Sequence, residues 1–384
     1  MEEITNPMPT LTREQVSEII DAAIEKGLKP SLNQADLSDI DLSDIDLSQT
    51  DLSRVNLSRA KLVETDFTQA DLSEADLSGA DLTWANFDQA NLRRANLGGA
   101  NLGGTLLNKA SLVGVILKGV NLNWADLSGV DLRQADLSSG SFRRSNFGRA
   151  NLQEAQLQLT NLQLADLSQT NLTKANLHQA NLREADLCQA NLNQAILTET
   201  NLFEANLVGA NLLGADMSGA NLRGVRLNET TRMDKKWQLV WDLVNHGVGD
   251  RQLTGIDLRG ANLSKTNLSG VSLSQANLSY ANLFMINLAA ADLRDVNLKA
   301  ADLFNAILTT SDLAKAILIR ADLTRADLTG ANLSHADLTE ANLTRANLTE
   351  ANLEGTILDG ATYTEATCWP AEFDPTLTGA LLQV

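Results

Sequence analysis

The residues able to do chemistry in this 384-residue chain are three histidines, two cysteines and an abundance of carboxylates. A nucleophile needs a base within reach, and a metal needs several donors on one short stretch. His178, His246 and His335 are far apart in sequence. Cys188 and Cys368 belong to no CxxC or Cys/His cluster, and no histidine lies within several residues of Cys188. The glycine pairs Gly98-Gly99 and Gly103-Gly104 are not followed by the Lys-Ser/Thr of a phosphate-binding loop, and no HExxH or GxSxG motif occurs. The recurring Asn-Leu-Ser and Asn-Leu-Thr triplets match a glycosylation acceptor, but they arise from a repeat. The residues therefore imply no catalytic site, no metal site and no cofactor, and the expected class is not an enzyme.

Composition narrows the class further. There are 8 Phe, 5 Trp and 2 Tyr, so the core must be built from aliphatic side chains. A hydrophobic content of 43% is too high for disorder. The formal charge of −18 argues against direct binding to nucleic acid or an anionic membrane, because a phosphate binder needs a basic face. No run of 18 apolar residues suggests a transmembrane span. The segment from Met1 to Leu11 has neither the basic nor the apolar region of a signal peptide, so the cytoplasm is the expected compartment.

What positions every side chain is a repeat. From Leu32 to Leu227 each fifth residue is Leu, Phe or Met, giving 40 pentapeptides; a second block, from Leu253 to Leu358, holds 22, all centred on Leu. The residue two before the centre is usually Ala, the residue before it Asp or Asn, and the residue after it often Ser or Thr, as in Ala70-Asp71-Leu72-Ser73-Glu74. On a helix, five residues rotate by about 500°, which scatters the leucines over every face. On a strand an odd period sends successive leucines to opposite sides. The chain must turn once per repeat, with Ala and Leu facing a central column and Asn or Asp bonding the tight backbone.

This A(D/N)LXX pattern resembles the pentapeptide repeat family over about four fifths of the chain. The resemblance implies an all-β solenoid, a right-handed quadrilateral parallel β-helix with four pentapeptides per coil. The blocks would then form about ten and about five coils, a rod on the order of 75 Å long at about 4.8 Å per coil. Within it, Phe67 and Phe87 should stack in the core, and Asn161, Asn181, Asn201 and Asn221 should form a ladder.

The expected organisation is a helical N-terminal cap over 1–30, a repeat block over 31–227, a helical insertion over 228–252, a second block over 253–360 and a C-terminal cap over 361–384. Thr12-Arg13-Glu14-Gln15 resembles a capping box, and Val16, Ile19, Ile20, Ala23 and Ile24 follow helical spacing. In the insertion, Asp234 should cap a helix stopped by Gly247, with Met233, Trp237, Val240, Trp241 and Val244 on one face. Similar Lys-Trp…Val-Trp…Val-Asn insertions occur in family members of cyanobacterial type. Tyr363, Trp369-Pro370 and Phe373-Asp374-Pro375 suit a lid over the last coil.

Four-fold phasing also predicts outward columns. Trp84, Gly104 and Trp124 share a position in successive coils and are followed by Arg144, with Arg143 beside it. Phe284, Met285 and Phe304 share a second face. Outward aromatics on a polar rod are either shields for bare backbone or anchors for a partner. Trp84, Trp124, Arg143, Arg144, Phe284 and Phe304 are therefore the candidate partner surface of a protein-binding scaffold, and a homodimer through a terminal cap is the oligomer to look for. Some family members mimic DNA and bind type II topoisomerases. Here, residues 31–81 carry net −9 while residues 82–160 carry net +3. Only the first coils approach the charge density of DNA, about one per 1.7 Å. That role is the alternative to the scaffold.

Overall fold

The computed structural model describes residues 11–249 and 252–383. The chain forms two compact units. The first holds residues up to Asp216 together with Gly224–Met233, and the second holds Met217–Arg223 and Asp234–Val384.

In both units the repeating element is a single bridging residue followed by a turn. At most repeats the residue before the centre pairs in parallel with the one twenty positions on, as in Asp51↔Asp71 and Asn282↔Asp302. Four pentapeptides therefore make one coil, the phasing the resemblance implied. The Leu52 amide donates to Asp71 O at 2.7 Å, Arg54 to Ser73 O at 2.9 Å, and Asp71 back to Thr50 O at 3.0 Å. Within each repeat the chain turns: Val55 N donates to Leu52 O at 3.2 Å, and Arg54 sits at φ 59. That left-handed residue is the third of a four-residue turn, the geometry of a type II corner. Among the described residues, extended strands are limited to β1 (Thr362–Tyr363) and β2 (Leu381–Leu382), paired in parallel.

The Asp or Asn before each centre holds the corner. Asp51 Oδ1 accepts from the Ser53 amide at 3.1 Å and the Ser53 hydroxyl at 2.7 Å. Coil-to-coil bonds such as Asn91 Nδ2 to Asp71 Oδ1 at 2.8 Å stitch neighbouring layers. Asn181 donates to Asn161 at 3.2 Å and Asn201 to Asn181 at 3.3 Å, which forms the expected ladder over its first three members. The central leucines are essentially all buried. Phe67 and Phe87 stack inside with centroids 4.9 Å apart and 3° between their planes. Phe142 meets Phe147 edge to face at 5.5 Å. Gly140 makes room for Phe142, since a Cβ there would come within 2.5 Å of the ring.

In the first unit, helix α1 (Arg13–Glu25) starts with the capping box of Thr12 and Gln15. Arg13 Nη2 reaches Ser43 O at 2.7 Å. Val16 and Ile20 are buried, but Ile19 and Ile24 are exposed. The expected face is thus only half used, because one narrow coil cannot cover a 13-residue helix. The first ten residues of the expected cap lie outside the described residues, as does most of the Met1 to Leu11 segment.

In the second unit, residues 217–223 pair with 258–266. The Gly219 amide donates to Gly260 O at 2.7 Å, and the Arg223 guanidinium donates to Ser264 O and, at 3.1 Å, to Thr266 Oγ1. Helix α2 (Lys235–His246) lies between these segments in sequence but outside their pairing. It begins at Asp234 and ends at Gly247, φ 75. Asn245 Nδ2 anchors it to Leu222 O at 3.0 Å, and Lys236 Nζ to Arg259 O at 2.7 Å. Its buried stripe is Trp237, Val240 and Leu243. Leu243 takes the place expected for Val244, and Trp241 is half-buried with its indole against His246 at 4.8 Å.

Both repeat blocks end on the same device, which the sequence reading did not find. Residues 228–233 and 364–369 each contain one extra residue, so Asn211 pairs with Arg232 and Asn347 with Cys368, twenty-one positions on. Thr231 and Thr367 absorb the extra residue. Each hydroxyl accepts the amide three residues before it, at 3.2 and 3.1 Å, and donates to Leu207 O or Leu343 O, at 3.0 and 2.9 Å. Beyond the second device, Trp369 meets buried Tyr363 edge to face at 5.5 Å and stacks on Phe373 at 5.2 Å.

The corner carboxylates make stability pH-dependent. The Ser43 hydroxyl and amide, then Lys61, hold Asp41 down to about 2. Asp257 and Asp292 are held to about 2 chiefly by the guanidinium groups of Arg259 and Arg294. Each lies below its ordinary value of 3.8, so the folded chain binds fewer protons than the unfolded one as acid is added. Their contribution is complete above the unfolded value and is lost as pH falls through about 2. The urea midpoint is expected to be flat from about pH 8 to 5 and to fall between about pH 4 and 2. A midpoint unchanged at pH 2.5 would contradict this.

Candidate protein-contact surface

The candidate residues of the first unit stand on one column of corners. Trp84, Trp124 and Arg144 have φ of 61, 65 and 61. For a bulky residue such a φ is normally an outlier that hints at function. It carries no such meaning here, because nearly every corner of the ladder takes it, including Glu74, Gln134 and Leu164. Exposure is the informative quantity. Trp84 and Trp124 are 64% and 66% exposed.

The two indoles do different things. Trp84 lies flat on Gly104, where a Cβ would come within 2.3 Å of Cε3. Trp124 does not share that gap; it is capped instead by the Arg144 guanidinium, 4.6 Å from the ring centroid. Shielding of the glycine thus accounts for one indole only. Arg143 is half-buried and ties its coil to both neighbours: its amide donates to Asn123 Oδ1, one coil before, at 2.7 Å, and its Nε to Gln163 Oε1, one coil after, at 3.4 Å. The neighbouring Leu106 is 52% exposed. It stands where most repeats carry Asn or Asp, and that departure was the legible signal for it.

In the second unit, Phe284 and Phe304 are half-buried and stacked at 5.7 Å, with Lys265 beyond one ring and Arg325 beyond the other. Tyr280 and Met285, at nearby left-handed corners, are exposed. Tyr280 was missed by sequence reasoning, although it occupies the same corner position as Trp84. The six candidates thus form two groups, one in each unit.

The other chemistry-bearing residues are occupied structurally. His178 Nδ1 lies 2.7 Å from Thr198 Oγ1, His246 Nδ1 is 3.2 Å from Asp242, and the His335 ring covers Gly355. Cys188 and Cys368 are free thiols, the first half-buried. Among the described residues, no group of three or more His, Cys, Asp or Glu could hold a metal, and no helix is long and apolar enough to cross a membrane.

The acidic section is more structured than its charge suggests. Asp46 pairs with Asp66 and Asp51 with Asp71, as the phasing required. All three basic side chains of residues 31–81 are paired with acids: Arg54 with Glu74 at 2.9 Å, Arg59 with Asp39 at 2.6 Å, and Lys61 with Asp41 at 3.1 Å. The Asp residues before the centres, such as Asp46 and Asp76, hold corner amides at 2.8 and 3.0 Å.

Several solved structures are similar to this chain. HetL, a pentapeptide repeat protein involved in heterocyst differentiation regulation from the cyanobacterium Nostoc sp. strain PCC 7120, is 25% identical. That alignment covers 91% of this chain and 94% of HetL, with a TM-score of 0.20. Rfr23 from the cyanobacterium Cyanothece 51142 is 31% identical over 32% of this chain and 89% of its own, with a TM-score of 0.24. QnrB1, a plasmid-mediated fluoroquinolone resistance protein, is 19% identical over 52% and 82%, with a TM-score of 0.26. No curated protein matches the sequence. The pentapeptide repeats family model matches residues 31–231, 252–284 and 291–362. With a five-residue period, a twenty-residue coil and matches over most of its length, this chain belongs to the pentapeptide repeat family.

Proposed function

We propose that this chain is a non-enzymatic scaffold that binds a partner protein through the outer faces of its β-helix, the right-handed coil its family implies. The observation that carries this reading is the pair of exposed indoles, Trp84 and Trp124, on one column of corners, with the Arg144 guanidinium set over Trp124. Tryptophan anchors protein interfaces because it buries a large area with only two rotatable side-chain bonds, and arginine because its planar guanidinium offers several donors and stacks on aromatic rings. The stack of Phe284 and Phe304 supplies a second face of the same kind. A DNA-mimic role at a type II topoisomerase has support only from the aspartate pairs of the first coils, where corner and ion-pair bonds already engage much of the charge.

Affinity recovery from a lysate of the native organism tests the scaffold reading. Replacing Trp84 and Trp124 together by Ser is expected to reduce recovery of a specific partner at least tenfold while leaving the thermal melt unchanged, as for loss of two hot-spot residues. Undiminished recovery would remove this face from the reading. Inhibition of gyrase supercoiling at micromolar protein would favour the alternative.

A further inference from the structure

The ladder of the first unit is open at one junction. The coil carrying residues 99–110 and the coil carrying 119–130 form neither the Asn101↔Asn121 bridge nor the Leu106↔Asp126 bridge. Among the described residues, the amides of Leu102, Gly104, Leu107, Lys109, Asn121 and Asp126 have no hydrogen-bond partner. Their counterparts one coil earlier are all paired, Leu82 to Asn101 O at 2.8 Å and Phe87 to Leu106 O at 2.8 Å. On the other two sides the same junction is closed, through Ser111↔Asp131 and Ile116↔Asp136. The opening is thus a wedge, hinged on the sides of Leu112 and Leu117. Thr105 and Ala125, on its two lips, are half-buried, whereas Ala85 and Ser145 in the flanking coils are 0% and 1% exposed.

Two sequence features coincide there. Leu106 cannot hold a corner amide or stitch to Asp126 as Asn or Asp would. Ile116 and Ile196 occupy the same position in closed junctions, so the apolar residue alone is not sufficient. The second feature is the pairs Gly98-Gly99 and Gly103-Gly104, which leave four positions at and just before the near lip without side chains and with a loosely restrained backbone.

Unpaired amides and carbonyls in a row are a template for another strand. The lips carry what such a strand would need. Trp84 lies on the near lip over Gly104, Leu106 is exposed beside it, and Trp124 stands on the far lip. Lys109, Lys118, Arg144 and Arg149 are exposed on or next to these coils. The section 82–160 is net +3 in a chain of −18. Resting on the scaffold reading above, we propose that this wedge is a docking site for an extended acidic segment of the partner, which adds as a strand to the unpaired amides while its apolar side chains rest on the indoles.

The probe is a fluorescein-labelled six-residue peptide of alternating Glu and Val, blocked at both ends, followed by fluorescence anisotropy with the full chain. Saturable binding is expected, lost at least tenfold when alternate peptide nitrogens are methylated and when Lys replaces Glu. The Gly103→Ser, Leu106→Asn double variant installs residues of closed repeats, and a Cβ at 103 meets nothing nearer than 3.4 Å. It should restore the missing amide protection and weaken binding at least tenfold with both indoles intact. No binding of the Glu-Val peptide, or equal binding of its methylated form, overturns strand addition. If partner recovery still depends on Trp84 and Trp124 in that case, the scaffold reading stands without strand addition; if recovery ignores the indoles, this face drops out of the scaffold reading whatever the peptide does.

Discussion

Phe87→Ala should lower the unfolding free energy by about 3–5 kcal/mol, and Phe87→Leu by only about 1 kcal/mol. Phe87 is fully buried and stacks on Phe67 at 4.9 Å, in a column whose other members are almost all leucine. Leucine fits that column and forfeits mainly the ring stack. Alanine leaves a void that cannot close, because this coil is fixed to its neighbours through backbone bonds such as Phe87 N to Leu106 O at 2.8 Å. Urea melts followed by circular dichroism would compare the two variants. Equal costs would mean that the coils collapse onto the void and that the column is not rigid.

The second large effect concerns hydrogen exchange. The amides of Leu102, Gly104, Leu107, Lys109, Asn121 and Asp126 should exchange on the order of a thousandfold faster than those of Leu82, Trp84, Phe87 and Leu122, the ratio given by a local opening of about 4 kcal/mol. The slow set is paired at 2.8 Å in every case, and the fast set has no partner among the described residues. Residue-resolved exchange by NMR or fragmentation mass spectrometry reads this directly. Uniform protection across residues 82–130 would show the junction closed in solution and would remove the wedge.

Much of this architecture can be read without coordinates, because a five-residue period is incompatible with a helix or a regular strand and forces a corner in every repeat. The buried leucine column, the Phe67–Phe87 stack and the asparagine ladder follow from that period and the phasing. The capping box at Thr12 and the limits of helix α2 follow from local backbone chemistry. The features that escaped the reading involve residues distant in sequence or single-residue shifts. The Thr231 and Thr367 devices are short and degenerate as strings, and they become one motif only when their bonds to Leu207 O and Leu343 O are seen. Leu243 replaced Val244 in the buried stripe because the rotation of α2 is set by what it packs against.

The partner surface divides in the same way. Which residues point outward is legible from the repeat alone, since every side chain's direction is fixed by its place in the pentapeptide. Trp84, Trp124, Arg143, Arg144, Phe284 and Phe304 were all identifiable from position. What each one meets depends on how neighbouring coils stack. Trp84 rests on Gly104 and Trp124 under Arg144, although both hold the same corner. The open junction was equally out of reach, because a ladder bond depends on the spacing of two coils twenty residues apart. That spacing is a balance of weak backbone and side-chain bonds over four sides, and no single pentapeptide contains it.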